Sequence, residues 1–158
     1  MKKKNINKLC KKKNVEYPFI IHATNKFPLY PTHTHGMTEI GFPEFLMDPL
    51  SFGFDGTASR INVSYKYFNK PENKGKLEAI QNGETLKLTV RDLAPDKDGL
   101  DPYTYCYRRV YPDFEMVKQA YIIKSPEDID PRMSFIQIYV EGDDFALTDD
   151  YYKGGIKW

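Results

Sequence analysis

"SFGFDGTASRINVSYKYFNKPENKG", residues 51–75, reads in two incompatible ways, and the choice between them sets the fold. Ile61, Val63, Tyr65 and Tyr67 alternate as one face of a strand, whereas Ala58, Ile61, Tyr65 and Phe68 recur at helical spacing. Asp55 or Thr57 can cap a helix start, because a short side-chain oxygen accepts from the first unpaired amides. Pro71 has no amide proton to continue the ladder and marks the end. The helical reading of 58–69 is preferred, and a helix set among strand-like segments makes the chain α+β.

The flanking sequence supplies those strands. "SFIQIYVEG" (134–142) is the most strand-like stretch, rich in β-branched and aromatic residues, and Glu141-Gly142-Asp143 reads as the turn that closes it. "YPFIIHAT" (17–24), "YTYCYRRV" (103–110) and "QAYIIK" (119–124) read as further strands. Short extended pieces are expected at Met37 to Ile40 and Glu44 to Met47, interrupted by Gly41 and Pro43. In "KGKLEAIQNGETLKLTVRDL" (74–93) a short helix through Leu77 and Ile80 stops at Asn82-Gly83, and Leu86, Leu88 and Val90 then alternate as a strand. "PDFEMVKQ" offers one helical turn behind Pro112, and "APDKDGLDP" is a loop. We expect one α+β domain over 18–158: a mostly antiparallel sheet with about two or three helices packed on one face.

At 158 residues the chain is long enough to bury about two thirds of the surface its unfolded form exposes. Its 41% hydrophobic and 28% charged residues are a globular composition, which excludes a disordered chain. The net charge of +1 hides an asymmetry, because "MKKKNINKLCKKK" holds seven lysines and no acid, leaving 16 basic against 22 acidic side chains, or −6, in the remainder. Residues 1–17 therefore form a basic arm, expected to be solvated and flexible; nucleic acid is a partner only through this Lys-rich segment. No stretch approaches the roughly 20 apolar residues of a transmembrane helix. Cys10 and Cys106 stand alone without a CxxC motif, so reduced thiols and a cytoplasmic location are expected.

The candidate chemistry centres on His33 and His35 in "PLYPTHTHGMTEIGFPEF" (28–45). In an extended strand the two imidazoles share a face with Cβ atoms about 7 Å apart, a spacing one metal ion can bridge. His22 belongs to a different strand, so a carboxylate, Glu39, Glu44 or Asp48, is expected to complete such a site. His33, His35 and Glu44 are thus the candidate metal ligands and, in an acid-base enzyme, the candidate catalytic residues. The plainer expectation is that no cofactor is bound and the histidines are satisfied polar groups of a strand. Tyr103, Tyr105 and Tyr107, followed by Arg108 and Arg109, form an aromatic-cationic stripe, with Tyr103, Tyr105 and Arg108 the candidate ligand-binding residues; sheet packing is the plainer reading. The acids of "EGDDFALTDDYY" lack the order of an EF-hand, no nucleophile elbow is present, and "FGFDGTASR" lacks the Gly-Lys-Thr of a phosphate cradle.

"HTHGMTEIGFPEFLM", "YCYRRVYPDFEMVKQAYII" and "IQIYVEGDDFALTDDYY" together resemble the bacterial domain-of-unknown-function family 4262 over most of residues 32–150. The resemblance rests on Thr34, Gly36 and Met37, then Pro43 and Glu44, then Gln137 and Asp143. Phe42 stands where that family often has histidine before Pro-Glu. The resemblance implies a small soluble bacterial protein of α+β fold and carries no established reaction. On the sequence, a non-enzymatic module binding a protein or small-molecule partner is the leading expectation, and a metal-dependent or acid-base enzyme around His33, His35 and Glu44 is the alternative.

Overall fold

A computed structural model of the chain describes residues 17–23, 32–47, 52–95 and 102–143. Residues 1–16 of the basic arm, Asp48 and the acids beyond Asp143 lie outside the described residues, and Tyr17, the last residue assigned to the arm, packs against Phe19 and Tyr65. In chain order the elements are β1 (Ile20–His22), β2 (Thr32–His35), β3 (Glu44–Met47), α1 (Gly53–Asn69), α2 (Lys74–Gln81), β4 (Leu86–Thr89), α3 (Val90–Leu93), β5 (Thr104–Val110), α4 (Phe114–Ala120) and β6 (Phe135–Val140). They build a six-stranded sheet in the order β1-β2-β3-β6-β5-β4. Every pairing is antiparallel except β3 with β6. That parallel pair follows from the route of the chain, since α1 and α2 carry it from β3 to β4 at the far edge before β5 and β6 return to the middle.

The ambiguous segment is a helix, and the core shows why. Thr57, Ile61, Ser64, Tyr65 and Phe68 are buried at the three- and four-residue spacing of one side of α1; Tyr67 is buried too, and Ala58 and Val63 are half-buried. Burial at 57, 61, 64, 65 and 68 follows the helical period. Neither expected cap acts as one. The helix begins at Gly53 behind Phe52, Asp55 lies in the first turn, and the Thr57 hydroxyl donates back to the Gly53 carbonyl at 2.7 Å. At the other end Lys70 is already extended, as a residue before proline tends to be.

α1, α2 and α3 cover one face of the sheet, over Phe45, Met47, Tyr105, Tyr107, Ile136 and Ile138. α4 lies on the other. Its Met116, Val117 and Ala120 cluster with Leu46, Val110 and Phe135, which alternate along their strands with residues of the first face. Fully burying a side chain such as Val117 is worth about 1.5–3 kcal/mol, so this second cluster is enough to hold one short helix in place.

Three local readings of the sequence are corrected. "QAYIIK" is no strand: Gln119 and Ala120 finish α4, and the chain turns through Tyr121 and Ile122, the latter at φ +56°. Burial of Met116, Val117 and Ala120 overrides the β-propensity of the isoleucines that follow. Met37 to Ile40 is not extended but a turn leading into a single 3₁₀ turn, Thr38–Ile40. Val90 opens α3 instead of extending β4, because Thr89 and Asp92 form a capping box.

Candidate metal centre

β1 and β2 are adjacent and antiparallel, with His22 directly opposite His33. Directly opposed residues share a face of the sheet, and so do residues two apart on one strand. His22, His33 and His35 therefore converge on one patch, the face that also carries Leu46 and α4. One ring nitrogen from each lies within 4.8 Å of the others. His33 Nε2 is 3.1 Å from His35 Nε2, and the three ring centroids are 4.8 to 5.6 Å apart. With metal–nitrogen bonds of about 2.0–2.1 Å, tetrahedral ligands sit about 3.3 Å from one another, so modest rotation of the rings closes the trio around one ion.

Burial is graded across the trio. His33 is 2% exposed, His35 half-buried and His22 exposed. The Tyr121 ring lies against both His33 and His35, with centroids 5.1 and 4.9 Å away, and packs on Phe135 behind them. This wall fixes the inner side of the patch and leaves the His22 side toward solvent. Ile122, beside Tyr121, is 75% exposed and holds a left-handed conformation that β-branched residues rarely adopt.

Gly36 ends β2 immediately after His35. Its φ of +105° favours glycine, and an added Cβ would sit 3.3 Å from the Pro18 carbonyl oxygen and 3.4 Å from Phe19 Cα. The glycine of His-Thr-His-Gly thus lets β1 come close enough to place His22 against His33.

Glu44 has a different task from the one expected. Its carboxylate is 1% exposed and accepts four hydrogen bonds: Thr34 Oγ1 (2.7 Å) and the Met37 amide (3.3 Å) at Oε1, the Thr38 amide (2.8 Å) and Thr38 Oγ1 (2.5 Å) at Oε2. Two donors on each oxygen use the full acceptor capacity of the group. The Thr34 hydroxyl accepts from the Phe45 amide at 2.9 Å, so its own proton is aimed at Glu44. Glu44 clamps the turn after β2 and does not join the histidines; the third imidazole comes from His22. Burial pushes its pKa above the usual carboxylate value, outweighing the hydrogen bonds that pull it down. Glu39 is exposed on the turn, and among the described residues no acid or thiol joins the three-histidine cluster.

The aromatic-cationic stripe is divided. Tyr105 and Tyr107 are buried beneath α1, where Arg60 Nε donates to the Tyr105 hydroxyl (2.7 Å) and Ser64 pairs with the Tyr107 hydroxyl (2.6 Å). Arg108 is on the opposite face, donating to Gln137 at 2.7 Å, and Tyr103 is 45% exposed beside Phe52. Tyr103, Tyr105 and Arg108 therefore do not meet at one surface. Glu141 forms an ion pair with Lys87 at the turn that closes β6.

Sequence reasoning found His33 and His35 and set His22 aside. The missing quantity was strand register, which fixes cross-strand neighbours and which "YPFIIHAT" and "THTH" do not disclose without a tight turn between them. Comparison of the chain with family models, curated proteins and solved structures finds no match in any of the three. No helix among the described residues is long and apolar enough to cross a membrane.

Proposed function

We propose that the protein binds one divalent transition-metal ion, zinc-like in its preference, through His22, His33 and His35. The observation that carries this reading is the convergence of three imidazoles from two paired strands onto one patch. Chance pairing of surface histidines does not also supply a buried ligand, an aromatic backing and a glycine that sets the strand approach. Imidazole suits Zn²⁺, Cu²⁺ and Ni²⁺, and the nitrogen donors that meet here among the described residues are not the oxygen set that Ca²⁺ and Mg²⁺ take. This reading takes precedence over a purely protein-binding module because, among the described residues, the convergence of the three imidazoles is the observation that points to a ligand.

The test is equilibrium dialysis against Zn²⁺ of protein without a histidine tag, beside His22→Ala and His33→Ala/His35→Ala variants. One equivalent for the wild type is expected, with affinity reduced about tenfold or more in each variant, a loss of at least ~1.4 kcal/mol of binding free energy. At free Zn²⁺ 100 times the wild-type dissociation constant, binding adds about 2.7 kcal/mol to the stability of the wild type and about 1.4 kcal/mol or less to a variant whose affinity is reduced tenfold or more. Substoichiometric binding, or binding indifferent to the three histidines, refutes the proposal.

A further inference from the structure

The three imidazoles do more than define a metal site: their charge and exposure specify what kind of site it is. Resting on the three-histidine reading, we infer that the bound metal keeps its fourth position open to solvent, takes a small anion there, and activates water as a nucleophile toward small esters.

The donor set is the first support. Three neutral nitrogens leave the full +2 charge on the ion, and no carboxylate or thiol among the described residues is in place to neutralise it or fill a fourth tetrahedral position. Glu44, on the neighbouring strand β3, has both oxygens saturated by Thr34, Met37 and Thr38. Structural zinc sites close four protein ligands around the metal, and catalytic ones keep three and leave one place for water. An ion so charged polarises its water toward hydroxide and attracts anions that compete for the same place.

Access is the second. His33 and the Tyr121 ring close the inner side, whereas His22 is exposed and His35 half-buried, so the vacant direction faces solvent on the β1 side. The wall described beside the histidines, the half-buried Tyr121 ring, is largely apolar. An acyl group can rest there while its carbonyl carbon meets the metal-held oxygen. In the step itself the oxygen of the metal-held hydroxide would bond to the carbonyl carbon and the ester C–O bond would break. The alcohol portion would leave with the bonding electron pair, and the proton the hydroxide carried would pass to it through solvent, leaving a carboxylate. The carboxylate product is then replaced at the metal by a new water, which gives one proton to buffer, so one water is consumed for each acid and alcohol formed.

Cobalt(II) serves as the probe, because its visible ligand-field bands report coordination. The Co²⁺-loaded full chain is titrated with thiocyanate, and hydrolysis of 4-nitrophenyl acetate is followed on the Zn²⁺-loaded chain with and without thiocyanate. Expected are tetrahedral-type bands that shift saturably with thiocyanate, and Zn²⁺-dependent hydrolysis that thiocyanate suppresses over the same concentration range. His22→Ala, a change at an exposed residue, should abolish both. If Co²⁺ binds in one equivalent through the histidines but its bands ignore thiocyanate, the fourth position is closed and this inference fails while the metal-binding reading stands. Bands that respond without any Zn²⁺-dependent hydrolysis overturn the catalytic part. No Co²⁺ binding at all overturns both.

Discussion

Replacing Glu44 by glutamine should destabilise the fold by about 2 kcal/mol, and the four hydrogen bonds at the carboxylate show where that figure comes from. Glutamine keeps one carbonyl oxygen for two of the four donors and puts an NH₂ donor where the other oxygen was. A threonine hydroxyl can rotate to accept from that NH₂; a backbone amide cannot. The cheaper orientation turns the NH₂ toward Oε1, where the Met37 amide makes the longest of the four bonds, 3.3 Å. That strands one buried amide at about 1–3 kcal/mol and weakens the remaining charge-assisted bonds, against which stands relief from burying a charge. A net loss of about 2 kcal/mol lowers the melting temperature by about 4–8 °C in a chain of this size. The assay is urea unfolding, read as a lower midpoint with unchanged slope. The pH dependence has a definite sign. Because burial raises the pKa of Glu44 from 4.5, the folded state holds this proton more tightly than the unfolded state. The stability so contributed is fully present below the unfolded value and is lost as pH rises through the folded one. The advantage of the wild type over Glu44→Gln should accordingly be larger at pH 4 than at pH 7. A variant within about 0.5 kcal/mol of the wild type refutes this account of the clamp, and an advantage that widens with rising pH overturns the dominance of burial over the four hydrogen bonds at the carboxylate.

Gly36→Ala should cost about 1–3 kcal/mol, from the left-handed backbone and the approach of the new Cβ to Pro18, read as a lower urea midpoint. Tyr107→Phe should cost about 1 kcal/mol: Ser64 Oγ already donates to the Arg60 carbonyl at 2.7 Å, so the phenol supplies the proton of the Ser64–Tyr107 bond. Burial pushes the Tyr107 phenol well above its usual value of 10, so the wild type should lose stability more steeply than Tyr107→Phe as pH rises past 10, measurable as alkaline unfolding midpoints. Met116→Ala, in the smaller apolar cluster, should cost about 2–5 kcal/mol by thermal unfolding.

How far the sequence could be read depended on the range of the interaction that decides each element. Residues 51–75 were legible because helix period, turn residues and Pro71 act within a few positions of one another. "SFIQIYVEG" was legible because β-branched and aromatic residues fill a strand buried on both faces. α4 was half legible: Pro112 signalled its start, but the choice of helix for Gln119 and Ala120 is made by Leu46, Val110 and Phe135, which lie elsewhere in the chain. The candidate site divides along the same line. His33 and His35 share a face by strand period alone. Which residue stands opposite His33 depends on register across residues 23–31, and Glu44 looked like a ligand because a carboxylate's partners are invisible until the turn is folded. A fully hydrogen-bonded carboxylate and a metal-binding one are the same letter in a sequence.

β2 itself separates the two tasks, which makes them testable apart. Thr34 is tied to Glu44 and the Phe45 amide, while its neighbours His33 and His35 project on the face shared with His22. Alternation along four residues thus turns the Thr34 hydroxyl and the His33 and His35 rings to opposite faces of β2. Glu44→Gln should therefore lower the urea midpoint while leaving Zn²⁺ stoichiometry at one in the folded protein. His22→Ala, at an exposed edge position, should leave the metal-free midpoint within about 0.5 kcal/mol of the wild type while removing most Zn²⁺ affinity. Loss of Zn²⁺ binding in folded Glu44→Gln would mean that the carboxylate governs the histidines after all, either as a ligand or by holding β2 in place. A Glu44→Asp variant, measured by the same dialysis, tells these apart: recovery of the clamp restores the midpoint and the metal together if Glu44 acts through the strand.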